Sequence, residues 1–404
     1  QYPFCVHEFL YKRFAKDDIV WRPDINEVDN SNLTQLIQEL GVDTVEEVHR
    51  FSVNNPESFW EYVVKYLGIC FDSSINPIMD DNGISENGVF FSQAKLNIAK
   101  SCFRAEPSDI AIVYQVENRK IERVSYGELE ELTKQVAAGL GVLGVTPGSR
   151  IAIDMPMTVE SIAIYLGVIW AGCSVVGIAD SFAPDEIRSR IDLAEPIIVF
   201  TQDVVRRDGK IIPLYERIKE AGGPTAVVLS ESKDLSSNSL RNDDINWHEF
   251  IVKGSVDCVV CKSTDFTNIL FSSGTTGVPK AIPWDHITPI KCAMDARFHH
   301  DISPGEIVAW PTNLGWMMGP WLIYGSLINR ATIALYYGSP TTRGFIDFVQ
   351  DSKVNMLGTI PSIVGTWREK NIFKDTKLES LRALSSTGEC SNASDMFWLM
   401  ASVG

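Results

Sequence analysis

Asn268-Ile269-Leu270-Phe271-Ser272-Ser273-Gly274-Thr275-Thr276-Gly277-Val278-Pro279-Lys280 decides how this chain of 404 residues is read. The apolar start has the composition of a buried strand, and the hydroxyl- and glycine-rich remainder that of a loop delivered to a sheet edge. Glycine lets backbone N–H groups approach an anion closely, while hydroxyls and a closing lysine add donors and charge. Such a loop is suited to gripping phosphates. It is not a Walker A loop, because Val278 and Pro279 separate Gly277 from Lys280. The same composition also makes an ordinary polar turn, and the stretch alone leaves both readings open.

Outward from the loop the pattern alternates between helix and short apolar strand. On the N-terminal side, Ala111 to Tyr114 reads as a strand, and Ser125 can cap a helix from Tyr126 to Leu143 that Gly144 ends. Strands follow at Arg150 to Asp154, Val175 to Ile178, Ile197 to Phe200 and Ala226 to Leu229. On the C-terminal side the expected order is a helix through Lys291, then strands near Ile307 to Trp310, Thr332 to Leu335, Val354 to Leu357 and Leu381 to Ser385. Such alternation is the signature of parallel βαβ units and an α/β class. Residues 1 to about 100 read as a mostly helical extension, in which Asn54-Asn55-Pro56 starts a helix carrying Phe59, Val63, Val64 and Leu67 on one face. The polar run Ser230 to Asp244 reads as a surface linker. The division expected is 1–100 for the extension, 101–240 for a first α/β subdomain and 241–404 for a second that carries the loop.

Three further blocks give the loop its meaning. Ser-Ser-Gly-Thr-Thr-Gly-Val-Pro-Lys at 272–280 resembles the phosphate loop of the adenylate-forming superfamily of acyl-CoA synthetases, adenylation domains and luciferases. Asn313-Leu314-Gly315-Trp316-Met317-Met318-Gly319-Pro320-Trp321 is similar to the acyl-pocket segment of acetyl-CoA synthetases. Leu381-Arg382-Ala383-Leu384-Ser385-Ser386-Thr387-Gly388-Glu389 is similar to their adenine-contacting segment, with Cys390 where those enzymes carry proline. Gly148 to Met157 and Ile169 to Cys173 resemble the family's opening strand and helix. Phe51 to Trp60 is similar to plant acyl-activating enzymes, many of them peroxisomal.

The resemblance implies two αβα subdomains of the adenylate-forming large N-terminal domain, and ATP, Mg²⁺ and CoA as ligands beside a small carboxylic acid. It implies that Ser272, Ser273, Gly274, Thr275, Thr276, Gly277 and Lys280 bind phosphate, and that Ser386, Thr387, Gly388, Glu389 and Cys390 flank AMP. Trp316, Met317, Met318 and Gly319 would wall the acyl pocket, although a Met–Trp stripe is also ordinary core composition. Arg206 and Lys210 resemble a CoA 3′-phosphate contact, and a solvated turn is the competing reading. The family's aromatic-Thr-Glu motif, hinge and adenylation lysine fall beyond Gly404, so no catalytic residue is assigned and the small C-terminal domain is expected to be missing. The chain thus reads as an incomplete acid–thiol ligase of AMP-forming type. The alternative is a nucleotide-binding pseudoenzyme or regulatory module.

Composition narrows the partners. A net charge of −16 argues against nucleic acid and anionic membranes, which select clustered Lys and Arg. The eight cysteines form no framework, and Cys258-Val259-Val260-Cys261 lacks a second ligand pair, so neither a disulfide scaffold nor a cysteine-held metal is expected. Adjacent His299 and His300 diverge on any regular element and read as solvated loop. Residues 161 to 179 carry no charge, yet Ala171-Gly172 breaks the run into a helix and a buried strand, not a membrane span. A cytoplasmic or peroxisomal setting is expected, with no secretion.

Overall fold

The computed structural model describes residues 4–14, 22–80, 88–207, 209–231, 240–272 and 279–403. The tip of the phosphate loop, Ser273, Gly274, Thr275, Thr276 and Gly277, therefore lies outside the described residues, as does 232–239 of the expected linker.

Two sheets carry the fold. The seven-stranded one runs, in spatial order, Ile245–Asn246, Thr225–Leu229, Ile198–Gln202, Arg150–Asp154, Ser174–Ile178, Phe266–Ser272 and Lys280–Asp285. The six-stranded one runs Ala383–Ser386, Met356–Thr359, Ile307–Ala309, Thr332–Tyr337, Ile110–Val116 and Glu122–Ser125. Each is parallel except for its last strand, which turns back antiparallel at the edge. The central parallel strands are buried along nearly their whole length, as strands covered on both faces must be. This is the mixed α/β class read from the alternation.

Sheet membership interleaves along the chain and does not divide it at residue 240. Ile110–Val116 and Glu122–Ser125 join the six-stranded sheet, while Phe266–Ser272 and Lys280–Asp285 complete the seven-stranded one. Period-2 burial marks a strand but does not name its partner, because pairing is a non-local choice.

The expected helix through Lys291 is corrected by the structure. Lys280–Asp285 is instead a strand, antiparallel to Phe266–Ser272 with Ser272 opposite Lys280, and the helix starts only at Thr288. Pro283 suits this edge position, where a missing N–H interrupts no further ladder.

Between the sheets lie two helices without a charged face. Val159–Trp170 is buried at every position from Ser161 to Trp170, and Met318–Leu327 at every position from Gly319 to Leu327. They meet where the Tyr165 hydroxyl lies 3.3 Å from that of Tyr324 and donates to Asn268 Oδ1 at 2.8 Å. Thr158 and Ser161 cap the first of them reciprocally. Its burial on all sides explains the charge-free run of residues 161 to 179. No helix among the described residues is long and apolar enough to cross a membrane.

The helix Tyr126–Val142 starts on a capping box between Ser125 and Glu128. Pro56–Leu67 buries Phe59, Val63, Val64 and Leu67, the face expected from their spacing, against the main core.

Candidate active site

A cavity of about 520 Å³ opens where the carboxyl ends of both sheets converge. Its wall is made by the residues that leave successive strands. Met157 follows Arg150–Asp154, Asp180 and Ser181 follow Ser174–Ile178, Trp310 follows Ile307–Ala309, and Tyr336 and Tyr337 end Thr332–Tyr337. Ile360 follows Met356–Thr359, and Thr387, Gly388 and Glu389 follow Ala383–Ser386. Ligands in α/β sheets gather at this edge because loops there are free of the packing that holds the strands.

Trp316, Met317 and Met318 all line the cavity, with Trp316 and Met317 about half exposed at 50% and 52%. A stripe serving only as core would be buried. The segment is held against the seven-stranded sheet by the Asn313 side chain and by close approach of its backbone. Asn313 Nδ2 donates to Met155 O at 3.0 Å, and Gly315 N–H donates to Asn313 Oδ1 at 2.9 Å. Two glycines permit the contact: a Cβ on Gly177 would stand 2.3 Å from Leu314 O, and one on Gly315 2.3 Å from Ala179 N. Gly319 packs on the Asn313 backbone and does not line the cavity. Trp316 stacks edge-on against Phe182, with ring centres 5.7 Å apart.

The second expected segment is only partly at the cavity. Thr387, Gly388 and Glu389 line it, with Gly388 in a left-handed turn at φ +92°. The Glu389 carboxylate accepts Ser362 N–H at 2.9 Å and Ser362 O–H at 3.1 Å. It thereby covers the N-terminus of helix Pro361–Glu369, whose partial positive charge favours an anion. Ser386 Oγ is buried without a hydrogen-bond partner among the described residues, and Cys390 is exposed and outside the lining.

Ser272 and Lys280 are the described residues of the phosphate loop, and neither lines the cavity. Ile269 pairs with Val176, so parallel register puts Ser272 level with Ala179, one residue before cavity-lining Asp180. The loop therefore leaves its strand at the cavity's edge of the sheet.

Neither Arg206 nor Lys210 lines the cavity. Arg206 points away and pairs with Glu231 at 3.6 Å, while Lys210 is exposed on the antiparallel partner strand. Arg207 is the basic side chain that lines the cavity, bound to Asp180 at 2.6 Å. Alternation on the Val205–Arg207 strand sends neighbours to opposite faces, so one position decides which arginine faces the cavity.

Asp154, at the end of its strand, is fully buried, and neither carboxylate oxygen has a hydrogen-bond partner among the described residues. Burial and the nearby charge of Asp180 push its pKa well above the usual carboxylate range, which favours the neutral acid. Burial also pushes Tyr337 up to about 12, leaving its hydroxyl neutral and 3.3 Å from Gln202 Nε2. Asp180, Arg207, Trp310 and the two tyrosines escaped the motif reading. Apart from Arg207, which ends a strand of a separate two-stranded hairpin, their signal was position, since each follows or ends a strand at the carboxyl edge.

Residues 99–404 match the family described as AMP-binding enzyme. The chain belongs to that family.

Among relatives of this AMP-binding chain, "Probable acyl-activating enzyme 17, peroxisomal" of Arabidopsis thaliana is 41% identical over 98% of the chain and 59% of the relative. Hexanoyl-CoA synthase of Cannabis sativa is 40% identical over 98% of the chain and 60% of the relative. The acetoacetyl-CoA synthetase structure from Streptomyces lividans shares the fold with a TM-score of 0.86 at 24% identity, over 95% of this chain and 62% of that one. The chain thus spans about three-fifths of the length of the relatives it matches. The likeness to acyl-CoA synthetases read from four sequence blocks, and to plant acyl-activating enzymes read from Phe51 to Trp60, stands.

Proposed function

We propose that this chain is the nucleotide- and acyl-binding part of an ATP-dependent acyl-activating ligase. In the whole protein a carboxylate oxygen attacks the α-phosphorus of ATP, forming an acyl-adenylate and releasing pyrophosphate. A thiol, that of CoA by likeness to the named synthetases, then displaces AMP to give the thioester. The observation that carries the reading is the convergence, in one cavity, of an apolar Trp316-Met317-Met318 wall with the Thr387-Gly388-Glu389 turn.

An ionised carboxylate is already a nucleophile, so the chemistry needs positioning and charge stabilisation more than a general base. The cavity's groups suit that division. Trp310, Trp316, Met317 and Met318 offer an apolar bed to the acyl chain, and methionine adapts to varied shapes. Gly388 and Glu389 stand where the adenylate would lie. Ser272, Lys280 and the loop between them would hold the β- and γ-phosphates from the adjoining strand ends. Arg207 replaces Arg206 as the candidate for an anionic group of the thiol substrate.

Mg²⁺ on nucleotide phosphates takes most of its ligands from phosphate and water, so one or two carboxylates suffice. Glu389 fits that need: each oxygen accepts one hydrogen bond and keeps further lone-pair capacity. The metal would supply charge neutralisation at the phosphates. A peroxisomal setting and a role in fatty-acid activation are supported by the names of relatives.

The test is carboxylate-dependent ATP–pyrophosphate exchange by the complete protein across short, medium-chain and aryl acids. Exchange with at least one acid, lost on Lys280→Ala, is expected. Bound ATP without exchange for any acid would overturn the ligase reading in favour of a nucleotide-binding module.

A further inference from the structure

A second cavity, of about 210 Å³, shares no lining residue with the first. It lies where three helices end: Leu67 closes Pro56–Leu67, Arg297 is in the last turn of Thr288–Phe298, and Ile328 and Arg330 follow Met318–Leu327. Arg104 completes a set of three guanidinium groups, and no carboxylate lines the cavity.

None of the three makes an ion pair among the described residues, in a chain where acids outnumber bases by 52 to 36. Two are oriented by neutral acceptors. Arg104 Nη1 donates to Leu67 O at 2.5 Å. Arg297 donates to Ile302 O at 3.0 Å, Ser303 Oγ at 3.2 Å and the Tyr66 hydroxyl at 2.8 Å. The Arg330 side chain makes no hydrogen bond among the described residues.

Arginines at helix C-termini have a plain explanation, since each end carries about half a negative charge. Three such ends supply about −1.5 against three full positive charges, so about 1.5 positive charges stay uncompensated. A phosphoryl group carries about −1.5 to −2 at neutral pH. Guanidinium forks also match phosphate oxygens in geometry.

A second observation concerns backbone. Arg330 closes its helix at φ +59°, with its N–H on Leu327 O and the next N–H on Ser326 O. Glycine is the usual residue at that position, because a side chain is strained there. An arginine in place of glycine puts a cation at the cavity at a cost in backbone comfort, a pattern found at functional sites.

We infer that this cavity is a binding site for a phosphoryl anion, either free phosphate or a small phosphate monoester. Arg104 and Arg297 form a fixed cradle, and Arg330 closes on the ligand. The site is independent of the proposed ligase chemistry.

Calorimetric titration at low ionic strength with orthophosphate, glycerol 3-phosphate and citrate tests it. One phosphate per chain is expected. Arg330→Gly relaxes the left-handed backbone, keeps the chain folded, and weakens phosphate about tenfold or more. Arg104→Gln weakens it as well, while Arg330→Lys recovers part of the affinity. Lys280→Ala, in the proposed nucleotide loop, leaves this phosphate affinity unchanged. Tighter binding of the monoester than of orthophosphate identifies an organic phosphate as ligand, and the reverse identifies free phosphate. Equal phosphate affinity in wild type, Arg330→Gly and Arg104→Gln would overturn the site. So would no phosphate binding up to about 10 mM, or binding of citrate alone.

Discussion

His286 should make this chain acid-sensitive. The residue is 1% exposed, and its Nδ1 accepts the Ile98 backbone N–H at 3.1 Å, tying the end of the edge strand to the short helix Ile98–Ser101. Burial lowers its pKa to about 4, outweighing the opposing pull of Asp265 and Asp285. The neutral ring is the one that accepts the hydrogen bond, so protonation favours the unfolded chain. Stability from this group is full above the unfolded value of 6.5 and falls as pH drops toward the folded value of about 4. At about pH 5 the unfolded chain holds nearly a whole proton on the ring and the folded chain about a tenth of one. Linkage then makes unfolding easier by about 2 kcal/mol at pH 5 than at about pH 7.5. His286→Asn keeps an acceptor for Ile98 N–H but does not titrate. Urea unfolding of both proteins at the two pH values isolates the effect, since other groups contribute equally to each. The variant should be less stable at neutral pH, and its loss between the two values should be about 2 kcal/mol smaller. An identical pH dependence in the two proteins would refute the account.

Gly177→Ala places a methyl group against the Leu314 carbonyl and should lift the Trp316 segment off its strand. A stability loss of about 1–3 kcal/mol and weaker binding of a non-hydrolysable acyl-adenylate analogue are expected, read by thermal unfolding and calorimetry; an unchanged melting temperature would contradict the close approach. Asp154→Asn removes a carboxyl whose charged form burial disfavours. Its raised pKa means that stability is lost as pH rises above the unfolded value, so the variant should gain stability over wild type at neutral pH and lose that gain in acid, measured by melting curves across pH. Met317→Ala in the complete protein should shift acid preference toward bulkier chains, and an unchanged profile in pyrophosphate exchange would remove the residue from the acyl wall.

Much of this architecture is legible in local sequence because its causes are local. Ser125 and Glu128 cap a helix through their own neighbours, and Phe59, Val63, Val64 and Leu67 declare a buried face by spacing alone. The charge-free run 161–179 announces burial, and Ala171-Gly172 divides it into helix and strand. The Trp316 and Gly388 segments are recognisable by their order along the chain. Three matters needed the folded molecule. Which strands share a sheet depends on pairings between residues far apart, so the hairpin at 266–285 joins strands from 150–246 and no local pattern reveals it. Which arginine faces the cavity depends on strand alternation, so Arg207 meets Asp180 while Arg206 turns to Glu231. The three arginines of the second cavity lie at positions 104, 297 and 330, and only the meeting of three helix ends makes them neighbours. Capping and periodicity act over a few residues, whereas a site is a coincidence in space that tertiary packing alone produces.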